Sequence, residues 1–207
     1  GVATKLGMAK KIDHPLPTVS VIIATFNSEK TLEKCLKLVR SQDYPQKKIE
    51  IILGDGGSSD NTPHIARRYK AQMVLIPPNK QNAEYNRGTA YSKAKGELVL
   101  ILDHDNFMPS KNWLKQMVQP LQENPEIVAT NTCYYHYSKE YPLMDRYFAL
   151  FGTSEPLPYF LHKADRMPQT SKKWSLSGVA VDKGTYYLVS LPTDIRSFPS
   201  IGTNGCL

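Results

Sequence analysis

Two aspartates separated by one residue, Asp103 and Asp105, are the residues of this sequence with the clearest capacity for chemistry. They directly follow the apolar run 97–102, at the point where a β-strand of that length would end. Carboxylate oxygens are ligands that suit Mg²⁺ and Mn²⁺, and both side chains can face one crevice as the chain leaves a sheet. A turn followed by a helix cap is the alternative, since Asp is common in both. From this pair alone the two interpretations stay open.

Polar groups also lie where other predicted strands end, or on the helix that precedes the run 97–102. These residues are Thr25, Asn27, Asp55, Gly57, Asn86 and Arg87. In a doubly wound sheet the carboxyl ends of the strands meet at one edge, and ligands bind there. We therefore expect these groups to converge with the aspartate pair on a single site.

Strands and helices alternate through the first two-thirds of the chain, which predicts a mostly parallel, doubly wound α/β sheet. The strands are predicted at 19–24, 49–54, 72–76, 97–102 and 127–135, and the main helices at 29–43, 82–94 and 110–123, with a further helix starting near 62. Ser28 is predicted to cap the first helix. The run 97–102 is almost wholly apolar, as in a central strand that is covered on both faces.

The last third of the chain has a different composition, rich in aromatic residues and prolines. One or two short helices are predicted within 142–161, a strand at 174–181 and a helix at 182–188. The segment 1–17 is basic and lacks periodicity, so we predict a flexible arm there. One domain then occupies 18–207, because a chain of 207 residues can bury a sizeable core without disulfides or structural metals.

Composition excludes several classes of protein. Hydrophobic residues make up 41% of the chain and charged residues 22%, with a mean hydropathy of −0.41, which excludes both intrinsic disorder and a bundle of membrane helices. Three widely separated cysteines indicate free thiols in a reducing compartment, which predicts a cytoplasmic location. The net charge of +7 favours anionic partners. No recognisable nucleic-acid motif accompanies that charge, so we expect no nucleic-acid partner.

Four motifs, taken in order, resemble those of the inverting glycosyltransferases of family 2, which have the GT-A fold. They are an opening strand at 18–27, a nucleotide-base loop at 55–60, the Asp103-His104-Asp105 element and an acceptor-side element at 201–205. The resemblance runs from about residue 18 to the terminus. It implies a GT-A domain with a Rossmann-like nucleotide-sugar-binding half at 18–106 and an acceptor-side half at 107–207.

The resemblance also implies roles for individual residues. Thr25 and Asn27 would line the nucleotide pocket, and Asp55 would accept a hydrogen bond from the imide N–H of uracil. Asp103 would approach the ribose and the diphosphate, and Asp105 would bind the Mg²⁺ or Mn²⁺ that bridges the diphosphate oxygens.

Other positions complete the predicted site. Arg87 is the candidate for a supporting cation in catalysis. The remaining substrate-binding candidates are Gly57 and Asn86 on the donor side and Gly202, Asn204 and Gly205 on the acceptor side. Inverting transfer also needs a general base, which in the family is an acidic residue beyond the acceptor-side element. The chain ends two residues after Gly205, so we expect either a domain truncated at its C-terminus, which we favour, or a substitute among Asp194, Glu155 and Asp165.

The implied function is metal-assisted transfer of a sugar, with inversion, from a nucleotide-diphosphate donor to an acceptor hydroxyl or a lipid-linked phosphate. A UDP-sugar is the favoured donor. Two alternatives stay open, namely a GDP-sugar-dependent polyprenyl-phosphate glycosyltransferase and a nucleotide-sugar-binding module without turnover. The apolar and aromatic stretch 142–161, beside basic residues, would also suit peripheral contact with the cytoplasmic face of a membrane.

Overall fold

A computed structural model describes residues 15–153, 156–160, 164, 166–171, 180–190 and 207. Four parallel strands form one sheet in the order β3-β2-β1-β4, and a separate antiparallel pair joins β5 to β6. The strands are β1 (Val19–Thr25), β2 (Ile49–Asp55), β3 (Gln72–Leu75), β4 (Leu98–Ile101), β5 (Ala180–Asp182) and β6 (Tyr187–Val189). The α-helices are α1 (Glu29–Arg40), α2 (Thr62–Arg68), α3 (Ala83–Tyr91), α4 (Trp113–Glu123), α5 (Leu143–Phe151) and α6 (Pro156–Phe160).

The two inner strands, β1 and β2, are covered on both faces. Successive side chains of a strand point to opposite faces, so Val21 and Ile23 pack into a core with α1, α2 and α4, whereas Ile22 packs with Ile52 and with Ala90 of α3. All seven residues of β1 are buried. This arrangement confirms the predicted α/β architecture with helices on both sides of a parallel sheet.

Helix α3 lies unusually close to β2, and Gly54 permits this approach. A Cβ built on Gly54 would overlap the carbonyl group of Asn86 and lie 3.2 Å from its Cα. Asn86 is consequently buried, and its Nδ2 donates a hydrogen bond to the carbonyl oxygen of Thr25 at 3.4 Å. The close contact brings the middle of α3 to the carboxyl ends of the inner strands.

The prediction of a central strand at 97–102 is wrong for the part of the sheet that the structure describes. Strand β4 lies at one side of these four strands and pairs only with β1, and Leu100 is its one buried residue. Its other apolar side chains are partly buried, with Val99 and Ile101 against the cluster around Ile22. Within the described part of the sheet, packing on a helix-covered face accounts for the apolar composition of β4.

The predicted strand at 127–135 is not formed either. Thr130 exchanges two backbone hydrogen bonds with Leu207, at 2.8 and 2.9 Å, but no run of paired residues extends from it in the described chain. The side chain of Asn131 accepts a hydrogen bond from the backbone N–H of Thr132. Side-chain hydrogen bonds of this kind compete with the pairing that a strand needs.

The predicted helix at 182–188 is replaced by the turn and second strand of the β5–β6 hairpin. Asp182 Oδ1 accepts a hydrogen bond from the N–H of Gly184 at 2.7 Å, and Gly184 has a φ of +86°. This left-handed conformation favours glycine and turns the chain back on itself. The predicted strand at 174–181 overlaps β5 at its last residues, while 172–179 and 1–14 lie outside the described residues.

The prediction of one or two short helices within 142–161 is confirmed, and the structure has two, α5 and α6. Ser28 is the N-cap residue of α1, as predicted, but its side chain does not cap the helix. Instead its Oγ accepts a hydrogen bond from the N–H of Phe26 at 3.2 Å. Among the helices that the structure describes, each is too short or too polar to cross a bilayer.

Candidate functional site

The candidate site lies at the carboxyl ends of β2, β1 and β4. Thr25 and Asp55 are paired at the ends of β1 and β2, and the N–H of Leu102 donates to the carbonyl oxygen of Ile22 where β4 ends. The next residue is Asp103. Topology therefore brings the polar groups that follow three strands to one edge of the sheet, as predicted.

Asp55 is fully buried and holds the loop that follows β2, residues 56–61, called here the β2 loop. Its Oδ1 accepts hydrogen bonds from the N–H groups of Gly57 and Ser58, at 3.0 and 2.8 Å. Its Oδ2 accepts from the hydroxyls of Thr25 and Ser58, at 2.9 and 2.6 Å. An ionised carboxylate offers about four acceptor positions, and these contacts use them. The contact of Asp55 with a uracil imide stays a prediction, beside this structural role.

Asn27 ties the loop after β1 to the β2 loop. Its backbone has a φ of +49°, a conformation that asparagine tolerates better than most residues. Its N–H donates to Ser58 Oγ at 2.8 Å, and its Oδ1 accepts from the N–H of Ser59 at 2.9 Å. Both loops are therefore fixed relative to each other, while Asn27 itself remains exposed.

Arg87 and Asp103 form an ion pair across the site. Arg87 Nη2 lies 2.7 Å from Asp103 Oδ1, and the two side chains are 21% and 23% exposed. Among the described residues, the second oxygen, Oδ2, accepts one long hydrogen bond, 3.4 Å, from Asn106 Nδ2. Arg87 Nε is buried and has no hydrogen-bond partner among the described residues. A cation and a partly free carboxylate thus lie together at the end of β4.

Asp105 has an exposed carboxylate that makes no hydrogen bond or ion pair with any residue described by the structure. The residue before it, His104, is held instead: its Nδ1 lies 2.8 Å from the Oγ1 of Thr31 on α1. This contact anchors the acidic segment, defined as residues 103–106, to α1. Sequence analysis did not identify His104 as a positioning residue, because nothing in the sequence links it to Thr31.

Asp103 and Asp105 fit a divalent cation that is shared with a bound phosphate. The described residues contain no group of three or more His, Cys, Asp or Glu placed to hold a metal. Mg²⁺, however, is commonly held by one or two carboxylates together with the phosphate oxygens of a substrate. The free carboxylate of Asp105 and the Oδ2 of Asp103, which accepts one long hydrogen bond, meet that requirement.

Cys35 lies behind the acidic segment, with its Sγ 3.7 Å from the carbonyl oxygen of Asp103. Burial, followed by the negative charges of Asp105 and Asp103, raises the pKa of this thiol to about 12. The thiol therefore stays protonated at neutral pH and is a poor nucleophile. Cys35 and Cys133 are free cysteines, as predicted.

The rest of the predicted site cannot be placed in the same way. Gly57 is exposed in the β2 loop with a φ of +90°. The other candidates lie outside the described residues; they are Gly202, Asn204 and Gly205 of the acceptor-side element and Glu155, Asp165 and Asp194, the candidate bases. The described residues therefore include the predicted donor side of the site and not the predicted acceptor side.

Comparison with known proteins decides the family. The sequence model of the family described as Glycosyl transferase family 2 matches residues 20–178, which is most of the chain. The chain belongs to glycosyl transferase family 2. Membership in this family agrees with the GT-A architecture of the sheet and with the order of its motifs.

Similar members of the family are longer proteins. Glycosyltransferase AglE of Haloferax volcanii is 36% identical over 110 residues, which cover 51% of this chain and 36% of AglE. The poly(ribitol-phosphate) beta-N-acetylglucosaminyltransferase TarS of Staphylococcus aureus is 31% identical over 109 residues, 51% of this chain and 19% of TarS. A crystal structure of TarS in complex with UDP-GlcNAc has a TM-score of 0.48 at 30% identity, over 51% of this chain and 31% of that one. This family 2 chain thus spans about a third or less of these relatives.

Proposed function

We propose that this chain transfers a sugar from a nucleoside-diphosphate donor, a UDP-sugar, to an acceptor hydroxyl or a lipid-linked phosphate, with inversion and with the aid of a divalent metal. Family membership supports the class of reaction. The observation that carries the proposal is the free carboxylate of Asp105 next to the Arg87–Asp103 ion pair, at the ligand-binding edge of a doubly wound sheet.

The chemical need is to stabilise the negative charge that builds on the diphosphate as it leaves. Arg87 would place its guanidinium beside the phosphate oxygens, and Asp103 would hold that guanidinium in position. Asp105, with Asp103, would hold Mg²⁺ or Mn²⁺, and the bound ion would supply Lewis-acid stabilisation of the same charge. The donor's nucleoside would bind at this edge of the sheet, near Thr25, Asn27, Asp55, Gly57 and Asn86.

Two observations bear on the acceptor. TarS is by its name a transferase that acts on poly(ribitol-phosphate). In this chain, α5 and α6 expose large apolar side chains, among them Leu143, Met144 and Phe160. Exposed apolar groups beside basic residues favour peripheral contact with a membrane, where a lipid-linked acceptor would be presented. We therefore propose that the protein acts at the cytoplasmic face of a membrane, and a saccharide acceptor in solution is the second candidate.

Calorimetric titration with UDP, GDP and TDP, each with and without Mn²⁺, tests the donor and the metal. We expect UDP to bind most tightly and Mn²⁺ to strengthen binding. Asp105→Asn should weaken the Mn²⁺-dependent part about tenfold or more, since even partners outside the first coordination shell change metal affinity about 10–100-fold. Asp43→Asn is the matched control, because Asp43 is an exposed aspartate with an ion pair to Lys115 beyond the opposite end of α1.

Each result has a distinct meaning. Equal affinity for the three nucleotides would contradict UDP as the donor, and an unchanged affinity on adding Mn²⁺ would contradict the metal site. If UDP binds as expected and yet neither this chain nor a longer form that continues past residue 207 transfers or hydrolyses the sugar of any UDP-sugar, the protein is a nucleotide-sugar-binding module.

A further inference from the structure

Most hydrogen-bond donors of the β2 loop are already used by contacts within the protein. The N–H of Gly56 donates to the carbonyl oxygen of Thr25 at 3.0 Å. The next two N–H groups, of Gly57 and Ser58, donate to Asp55, whose carboxylate is saturated by contacts within the site. A base that packs on this loop would therefore find few free hydrogen-bond donors on the loop itself. A group from a neighbouring segment has to supply them.

Gln81, in the segment before α3, supplies such a group. Its side chain covers Gly56, which is buried. A Cβ built on Gly56 would overlap Gln81 Cγ and lie 3.0 Å from its amide carbon and 3.1 Å from its Nε2. The amide of Gln81 is half-buried and makes no hydrogen bond with the part of the chain that the structure describes.

The backbone around Gln81 is fixed before any ligand binds. The N–H of Lys80 donates to the carbonyl oxygen of Pro77 at 2.9 Å. On the other side, Asn82 caps α3 by accepting a hydrogen bond from the N–H of Tyr85 at 2.8 Å. A side chain on such a rigid segment loses little conformational freedom when it binds a ligand.

We infer that Gln81 determines the base specificity of the donor site by reading the hydrogen-bonding edge of uracil over Gly56. Its amide oxygen can accept from the imide N–H while its NH₂ group donates to a ring carbonyl. Gly56 contributes to the same base specificity, because only the absence of a side chain at this position leaves room for the Gln81 side chain. The inference rests on the proposed use of a UDP-sugar, and it assigns to Gln81 a contact that the family resemblance implies for Asp55.

A double-mutant cycle on Gln81 and Gly56 tests the inference, with UDP and pyrophosphate titrated into each variant in the presence of Mn²⁺. Gln81→Ala should weaken UDP binding about tenfold, the loss expected for two neutral hydrogen bonds, and leave pyrophosphate binding unchanged. Gly56→Ala should cause a similar loss by displacing Gln81. Its φ is outside the positive range, so alanine adds no backbone strain. The double variant should lose no more than Gln81→Ala alone.

Gln72→Ala serves as the control, because Gln72 is an exposed glutamine at the opposite end of β3. Full UDP affinity in Gln81→Ala would overturn the inference, and so would additive losses in the double variant. Equal losses for UDP and pyrophosphate would also overturn it, since they would place Gln81 at the phosphates. Failure of the unaltered chain to bind UDP would refute the proposed function itself and is thereby distinguished from these outcomes.

Discussion

Replacing Asp55 separates two roles that one carboxylate could have in this site. The structure gives Asp55 four hydrogen bonds from its own loop and from Thr25, and leaves it fully buried. Asp55→Ala removes the acceptor for two backbone N–H groups and two hydroxyls. An unsatisfied buried donor costs about 1–3 kcal/mol. The hydroxyls can rotate to other partners and Gly57 is exposed to water, so the N–H of Ser58 bears the full penalty and we expect a loss of about 2–3 kcal/mol in the free energy of unfolding.

The isosteric variant should cost less. In Asp55→Asn the remaining amide oxygen can still accept from the two N–H groups, and the NH₂ group can donate to the hydroxyl oxygens. The variant loses the strengthening that a charged acceptor gives, which should cost about 1–2 kcal/mol, and a loss of that size is easily resolved by urea unfolding. Thr25→Val should cost a similar amount by removing one donor, and Thr25→Ser is its control because serine retains the hydroxyl.

UDP affinity measured on the same variants completes the test. If Asp55 holds the β2 loop, stability and UDP affinity should fall together, most in Asp55→Ala and less in Asp55→Asn. An Asp55→Asn variant of unchanged stability that has lost its UDP affinity would refute this reasoning, because it would show that the carboxylate contacts the base.

Three further predictions concern other parts of the structure. Arg87→Ala should change the free energy of unfolding by less than about 1 kcal/mol, because its ion pair with Asp103 is partly exposed. Calorimetry should nevertheless show at least a tenfold weaker affinity for UDP, and unchanged affinity would contradict the role of Arg87 at the phosphates. Burial opposes ionisation of Glu50, but hydrogen bonds from a neighbouring hydroxyl and from backbone N–H groups outweigh it and lower its pKa. The contribution of Glu50 to stability is therefore complete above its ordinary pKa and is lost as the pH falls through the lowered value. In Glu50→Gln, the free energy of unfolding measured with urea should consequently fall less steeply between pH 6 and 3 than in the unaltered chain. Gly54→Ala should destabilise the fold by about 3 kcal/mol or more, because its Cβ would clash with α3. Gly88→Ala is the control, since its Cβ meets open space on α3, and it should leave the melting temperature unchanged or raise it. Equal melting temperatures for the two variants would argue against the close packing of α3 on β2.

The parts of the fold that the sequence predicts well are those where a local pattern decides the structure. The buried runs of β1 and β2 and the apolar face of α1 have the periods of a strand and a helix, and all three elements are present. The convergence of Asp55 and Asp103 follows from the parallel topology alone. Strand order does not follow from composition, which is why the apolar run of β4 suggested a central position.

The contacts that the sequence does not reveal join residues far apart in the chain. His104 contacts Thr31 across 73 positions, and Gln81 reaches Gly56 from the next β–α unit; neither pair has a local signature. The hairpin after Ala180 was missed for another reason. Asp182 and Gly184 form a recognisable turn signal, which the prediction of a helix at 182–188 did not use. With a turn at that position, the β-favouring residues that follow it indicate a strand and not a helix.

Mn²⁺-induced broadening of backbone amide signals, recorded by NMR on the chain with UDP bound, tests most directly whether this edge of the sheet is the donor site. Paramagnetic broadening depends on distance from the ion and therefore locates it. We predict that the signals of the acidic segment, residues 103–106, and of Arg87 broaden first, that those at the amino ends of β1 and β2, Val19 and Ile49, persist longest, and that Asp105→Asn abolishes the pattern. Broadening centred elsewhere, or an unchanged pattern in Asp105→Asn, would contradict the account.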